Sequence, residues 1–155
     1  MTGAVPVTPG PVTPDTDTPD TGTDRPQLTE LGYYALSRHP VRPAELVDEA
    51  AHAERLGLGT AFVSERFNVK DAAVLSGALA AATTRLGLAT AATNHTTRHP
   101  IVTATMAATL DELSSGRFAL GLGRGITPQG QILGLPTLTG AGIRETILYP
   151  LVRPE

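Results

Sequence analysis

The sequence predicts an α/β fold built from parallel strands, each followed by a helix, on three observations. Short apolar runs begin near residues 31, 60, 86 and 118, a spacing of about 30 residues that matches the βα rhythm of parallel α/β proteins. Helix-forming stretches follow the runs, two of them closed by a glycine stop signal, Gly57 and Gly116. The runs are apolar enough to be buried strands, as the strands of a parallel sheet are. The successive units share no obvious sequence similarity, so the period is structural and not a repeat array. Such a pattern suits a (β/α) barrel or a doubly wound sheet, and periodicity alone leaves both open.

In chain order, residues 1–27 come first as a Thr-, Pro- and Asp-rich stretch, typified by PVTPDTDTPDTGTD. It has too few large apolar groups to offset the entropy of ordering it, which predicts a disordered tail ahead of a single folded unit at 28–155. Leu31-Gly32-Tyr33-Tyr34-Ala35-Leu36 reads as the first strand, and Ser37-Arg38-His39-Pro40 as the loop leaving it. A helix follows from about Pro43 to Arg55. Leu46, Ala50 and Ala53 share one face, Glu45, Asp48, Glu49 and His52 lie largely elsewhere, and Gly57 stops it. Thr60-Ala61-Phe62-Val63 is the second strand and ends in Ser64-Glu65-Arg66-Phe67. Asn68 is placed to cap the next helix, Val69 to about Ala82, with Asp71 in its first turn set favourably against the dipole.

The stretch Leu86 to Gly125 carries most of the functional candidates. Leu86-Gly87-Leu88-Ala89-Thr90-Ala91 is the third strand. Pro100 suits the first helical position, where its missing N–H costs nothing, and the Ala-, Leu- and Met-rich run to Leu113 closes at Ser114-Ser115-Gly116. Phe118-Ala119-Leu120-Gly121-Leu122 is the fourth strand and runs into the loop Gly123-Arg124-Gly125. In α/β barrels and sheets, ligands gather at the C-terminal ends of the strands, where both loops of this unit lie.

Composition excludes several classes. The chain has 155 residues, no cysteine and a formal net charge of −3. Disulfides, thiolate metal sites and a cysteine nucleophile are therefore excluded, and the charge gives no hint of nucleic acid or an anionic membrane as partner. No apolar run approaches the roughly 18 residues of a membrane span, and the N-terminus has no signal-peptide pattern, so the default location is the cytoplasm. No histidine and carboxylate spacing suggests a metal site. The Gly121-x-Gly123-x-Gly125 series is spaced wrongly for a dinucleotide fingerprint.

His99-Pro100-Ile101-Val102, then Leu110-Asp111-Glu112-Leu113-Ser114-Ser115-Gly116-Arg117-Phe118, then Leu120-Gly121-Leu122-Gly123-Arg124-Gly125 form one spaced pattern. With Leu86-Gly87 upstream and Gly134-Leu135-Pro136 downstream, it closely resembles the bacterial luciferase-like flavin and deazaflavin oxidoreductases. Within that superfamily it is most similar to the class using coenzyme F420, with FMN as the alternative. The resemblance runs from about Leu31 to Gly134. It implies a TIM-type (β/α)8 barrel with the cofactor ring over the C-terminal ends of the strands, and hydride transfer to or from a small organic molecule.

Carried over residue by residue, the resemblance implies a non-prolyl cis peptide at Ala89–Thr90, supporting the ring. It implies that Arg124, flanked by Gly123 and Gly125, contacts the cofactor phosphate; a guanidinium between glycines suits bidentate, charge-assisted bonds. Asn94 and His95 belong to the cofactor pocket, with His95 able to donate a proton. His99 is a structural loop–helix junction, and His39 carries no motif. At the end of strand two, relatives have a carboxylate followed by a proton-transferring histidine. Here Glu65 is present, but Arg66 stands in the histidine's place, and arginine is no acid or base near neutral pH. Arg66 is left either to pair with Glu65 or to bind an anion.

Length limits the barrel. Four strands are complete by Leu122, whereas a closed barrel typically needs about 250 residues. The expectation is therefore a partial barrel of about four βα units, either paired with itself or a complementing half, or a truncated product. A non-catalytic half-barrel acting at most as an association partner is the alternative to a working oxidoreductase.

Overall fold

The computed structural model describes residues 27–36, 42–66, 69–94, 96–125, 127–136 and 139–148. The predicted disordered tail, apart from Gln27, lies outside the described residues, as do the loop Ser37–Pro40 and Asn68. The elements are β1 (Leu28–Tyr34), α1 (Glu45–Arg55), β2 (Leu58–Val63), α2 (Ala72–Ala82), β3 (Gly87–Thr90), β4 (Thr93–Asn94), α3 (Pro100–Leu113), β5 (Phe118–Ala119), β6 (Leu122–Gly123), α4 (Thr127–Ile132) and α5 (Gly140–Leu148).

One sheet has the order β1-β2-β3-β5, all parallel, and a small parallel pair, β4-β6, continues its last two strands. This order decides between the two architectures the sequence left open. A doubly wound sheet reverses its strand order and carries helices on both faces. Here each strand joins the next, so right-handed crossovers put every intervening helix on the same face, as in a barrel wall. Helix α2 accordingly packs between α1 and α3.

Strand register sorts the side chains into two rows. Tyr33, Ala61, Leu88 and Phe118 are successive partners under the helices. Ala61 and Leu88 are buried there with Leu46, Ala50 and Ala53 of α1 and Leu75 and Leu79 of α2, and Tyr33 and Phe118 pack against them. Tyr34, Phe62, Ala89 and Ala119 form the opposite row. That face has no helix over it among the described residues. Tyr34 is 56% exposed, with its ring centroid 5.8 Å from that of Phe62. In a closed barrel this row faces the interior.

Helix termini follow local chemistry, with one correction. Pro100 occupies the start of α3, and His99 caps it by accepting from the Ile101 amide at 3.3 Å. Gly57 adopts φ of +74° directly after the C-cap of α1, as a C′ glycine does, whereas after α3 the C′ place falls to Ser115 at φ +57°, with Gly116 at +80° one residue further on and its amide donating to Asp111 O. Helix α2, expected from Val69 with Asn68 as cap, begins instead at Ala72. Its cap is Asp71, whose Oδ1 accepts from the Val74 amide at 3.0 Å. Just before that cap, the Arg66 and Lys70 backbones pair as an antiparallel bridge.

Candidate functional site

The site is built where β2, β3 and β5 end. The β2–β3 ladder continues regularly through Val63 and Thr90, and then Ala91 N donates to Val63 O at 2.8 Å. Only beyond that does the chain kink, and the non-prolyl cis peptide lies at Ala91–Ala92, not at Ala89–Thr90. Ladder pairing explains the correction: Ala89 and Thr90 are held as ordinary strand residues, so the irregularity falls after the last paired position. Past the kink, Glu65 N donates to Ala92 O at 3.1 Å and Thr93 N to Gly121 O at 2.9 Å.

The fourth strand is interrupted at the same level. Thr90 Oγ1 donates to Gly121 O at 2.9 Å and accepts from Gly121 N at 2.8 Å, spanning the gap between β5 and β6. A Cβ on Gly121 would lie 2.0 Å from Thr90 O, so glycine is required for this approach. Beyond it, β4 and β6 pair Thr93 with Leu122 and Asn94 with Gly123. The Gly123-Arg124-Gly125 loop therefore leaves the sheet directly beside Asn94. Gly125 has φ +74°, and Arg124 is exposed, with no hydrogen-bond or ion-pair partner among the described residues. An unneutralised guanidinium between two glycines at a strand end fits a phosphate group.

Glu65 is held differently. Its side chain is 8% exposed and pairs with Arg98 at 2.8 Å. Its other carboxylate oxygen accepts from Thr93 Oγ1 at 2.6 Å and from the Asn94 amide at 2.7 Å. Arg98 also bonds Asp71 and, at 3.1 Å, Thr93 Oγ1. Sequence reasoning gave Arg98 no role. The parallel order that makes β2 and β3 neighbours was the available signal, because it sets the β3–α3 loop against the two acids after β2.

Of the two roles left open for Arg66, the pair with Glu65 is not formed: Arg98 fills that place. Nearby, Lys70 is buried and donates to Leu36 O at 2.8 Å at the end of β1. Burial, and secondarily the Arg66 charge, hold its amine below the usual lysine range, against an opposing pull from Glu49.

The structure thus brings Glu65, Ala89, Thr90, Asn94, Gly123, Arg124 and Gly125 to one edge of the sheet, on adjoining strands. Ala89 is on the open row, while the Thr90 side chain is buried in its bonds to Gly121. His95 lies outside the described residues, as does His39. No helix among the described residues is long and apolar enough to cross a membrane.

Comparisons with known proteins bear on the fold and the family. The chain is 34% identical over 87 residues to the 5,10-methylenetetrahydromethanopterin reductase of Methanolobus tindarius, covering 54% of this chain and 27% of that protein. The coenzyme F420-dependent tetrahydromethanopterin reductase of Methanopyrus kandleri superposes with a TM-score of 0.58 at 28% identity, over 68% of this chain and 29% of that one. The FMN-bound oxygenating constituent of 3,6-diketocamphane monooxygenase from Pseudomonas putida shares the fold, with a TM-score of 0.64 at 24% identity over 76% of this chain and 37% of that one. The chain thus spans a little over a quarter of the length of the two reductases. The model of the luciferase-like monooxygenase family matches residues 26–136, which with the barrel-type strand order establishes that the chain belongs to that family.

Proposed function

We propose that the chain forms the cofactor-binding portion of a luciferase-like oxidoreductase that moves hydride between deazaflavin coenzyme F420, or FMN, and a small organic substrate. The observation that carries this is the β4–β6 pairing, which sets the Arg124 loop against the kinked exit of β3. F420 is favoured over FMN because the relative of known structure with higher identity is F420-dependent, while FMN is bound by a neighbour that shares the fold. The redox chemistry is the cofactor's; the protein supplies position and charge.

In this reading Arg124, flanked by Gly123 and Gly125, holds the phosphate, and Ala89, Thr90 and Asn94 form the ring's support. Glu65 works through its bonds to Thr93 and to the Asn94 amide, which fix the backbone the ring lies against. His95, next to Asn94, is the group assigned to proton transfer. The same reading sets the protein in the cytoplasm.

The open row of Tyr34, Phe62, Ala89 and Ala119 favours a second reading, a non-catalytic half-barrel that associates with a second copy or a complementing half. Titrating the purified chain with F420 and with FMN, following cofactor fluorescence, separates the two. Saturation of either at tens of micromolar, about −6 kcal/mol, supports the redox reading. Binding of neither, together with a dimer in sedimentation, overturns it in favour of the second.

A further inference from the structure

A cavity of about 420 Å³ opens between the β2–α2 turn and the start of α3, lined by Glu65, Arg66, Val69, Lys70, Asp71, Thr97 and Arg98. Three of these residues are cationic and two anionic, and their pairing is unequal. Arg98 binds both acids, bonding Glu65 at one nitrogen and Asp71 at the other. Lys70 spends its ammonium on backbone carbonyls at the end of β1. Arg66 is exposed and its side chain has no hydrogen-bond or ion-pair partner among the described residues, since the carboxylate next to it is already occupied. Its backbone is nonetheless fixed: its N–H donates to Lys70 O, and its carbonyl accepts from Val69 and Lys70. Among the described residues the guanidinium is thus an uncompensated charge on a fixed backbone at a cavity wall.

We propose that this cavity is a binding site for a small organic oxyanion, a carboxylate or a phosphate ester, recognised by Arg66. Guanidinium matches both groups through two parallel N–H···O bonds, which a lysine at the same place would not provide. The Arg98 bonds to Glu65 and Asp71 reduce the repulsion those acids would otherwise exert on an incoming anion. A volume of about 420 Å³ exceeds what a bare ion fills and suits an anion with a small organic body. Arg66 and Lys70 both line this one cavity. The inference does not rest on the redox reading, because neither Arg124 nor any cofactor contact enters it.

The test is a titration of the full chain with acetate and, separately, with inorganic phosphate, monitored by the Nε–Hε resonances of labelled arginine and by the Lys70 Nζ shift. The expected result is a saturable shift at Arg66 with at least one probe, accompanied by a response at Lys70. Arg66→Gln abolishes both, Arg66→Lys weakens binding at least tenfold, and Arg124→Gln leaves the Arg66 response unchanged. The two probes distinguish a carboxylate from a phosphate source. A linear shift at Arg66 no larger than at exposed Arg42, or a saturable response that survives Arg66→Gln at Lys70, overturns the proposal. Failure of F420 and FMN to bind leaves these outcomes unaffected and bears only on the redox reading.

Discussion

Thr90 and Gly121 hold each other through two hydrogen bonds, with the Thr90 hydroxyl donating to the Gly121 carbonyl and accepting from its amide. This clasp ties the end of β3 to the gap between β5 and β6. Gly121→Ala places a methyl 2.0 Å from Thr90 O and forces the strands apart. A loss of about 1–3 kcal/mol is expected, as for other overpacked sites, read from urea denaturation. Thr90→Val removes both bonds without the clash and is expected to cost about 1–2 kcal/mol.

Arg98 and Glu65 form a largely buried pair, with side chains 16% and 8% exposed. Arg98→Met leaves Glu65 charged and without its counterion, so a loss of about 3 kcal/mol is expected. The double variant Arg98→Met, Glu65→Gln should lose clearly less than the sum of the single variants. A double-mutant cycle in denaturant measures the coupling, and strict additivity would show that the pair holds nothing.

Tyr33 lies under α1 with its hydroxyl buried and unpartnered among the described residues. Burial, aided by the Glu49 charge, pushes its phenol up to about 12 from 10.0. A folded-state value above the unfolded one means the folded form resists ionisation, so stability is unaffected below pH 10 and falls between pH 10 and 12. Tyr33→Phe removes the orphan hydroxyl and is expected to be neutral or to stabilise by up to about 1 kcal/mol. It should also flatten the alkaline limb of a stability–pH curve and remove the phenol titrating at about 12 from an absorbance titration.

Glu54 joins α1 to the turn before β3. Its Oε1 accepts from the amides of Thr84, Arg85 and Leu86. Burial works against the charge, but the amides of Arg85, Leu86 and Thr84 and the Arg85 charge prevail and hold the carboxyl below its ordinary 4.5. A lowered folded-state value contributes stability above pH 4.5 that is lost as pH falls through it. Glu54→Gln should therefore lower stability near neutrality by about 1 kcal/mol, since water replaces part of the lost bonding, and should reduce the acid dependence below pH 4.5.

Much of the fold was legible because its signals are local. Pro100 marked the start of α3, and Gly57 and Gly116 marked the ends of α1 and α3. Leu46, Ala50 and Ala53 showed the buried face of α1. The cis peptide was placed two residues early because Ala89 to Ala92 are all small, and only pairing with β2 reveals where regular strand stops. Asp71 caps α2 where Asn68 was expected, just beyond an Arg66–Lys70 bridge that no local pattern announces. Arg98 was missed for a related reason. Its partners Glu65 and Asp71 are distant in sequence and meet it only once β2 and β3 are known to be adjacent. Barrel and doubly wound sheets share one sequence rhythm, so strand order had to separate them.

The central claim, that a cofactor phosphate rests against Arg124, is tested most directly by comparing phosphorylated and unphosphorylated ligands. Affinities of FMN against riboflavin, and of F420 against its dephosphorylated deazaflavin, would be measured for the wild-type chain and for Arg124→Gln. The account predicts at least a tenfold preference for the phosphorylated member of one pair, and loss of that preference in the variant. Equal affinity for both members of each pair in the wild type, or a preference that Arg124→Gln leaves intact, would contradict it.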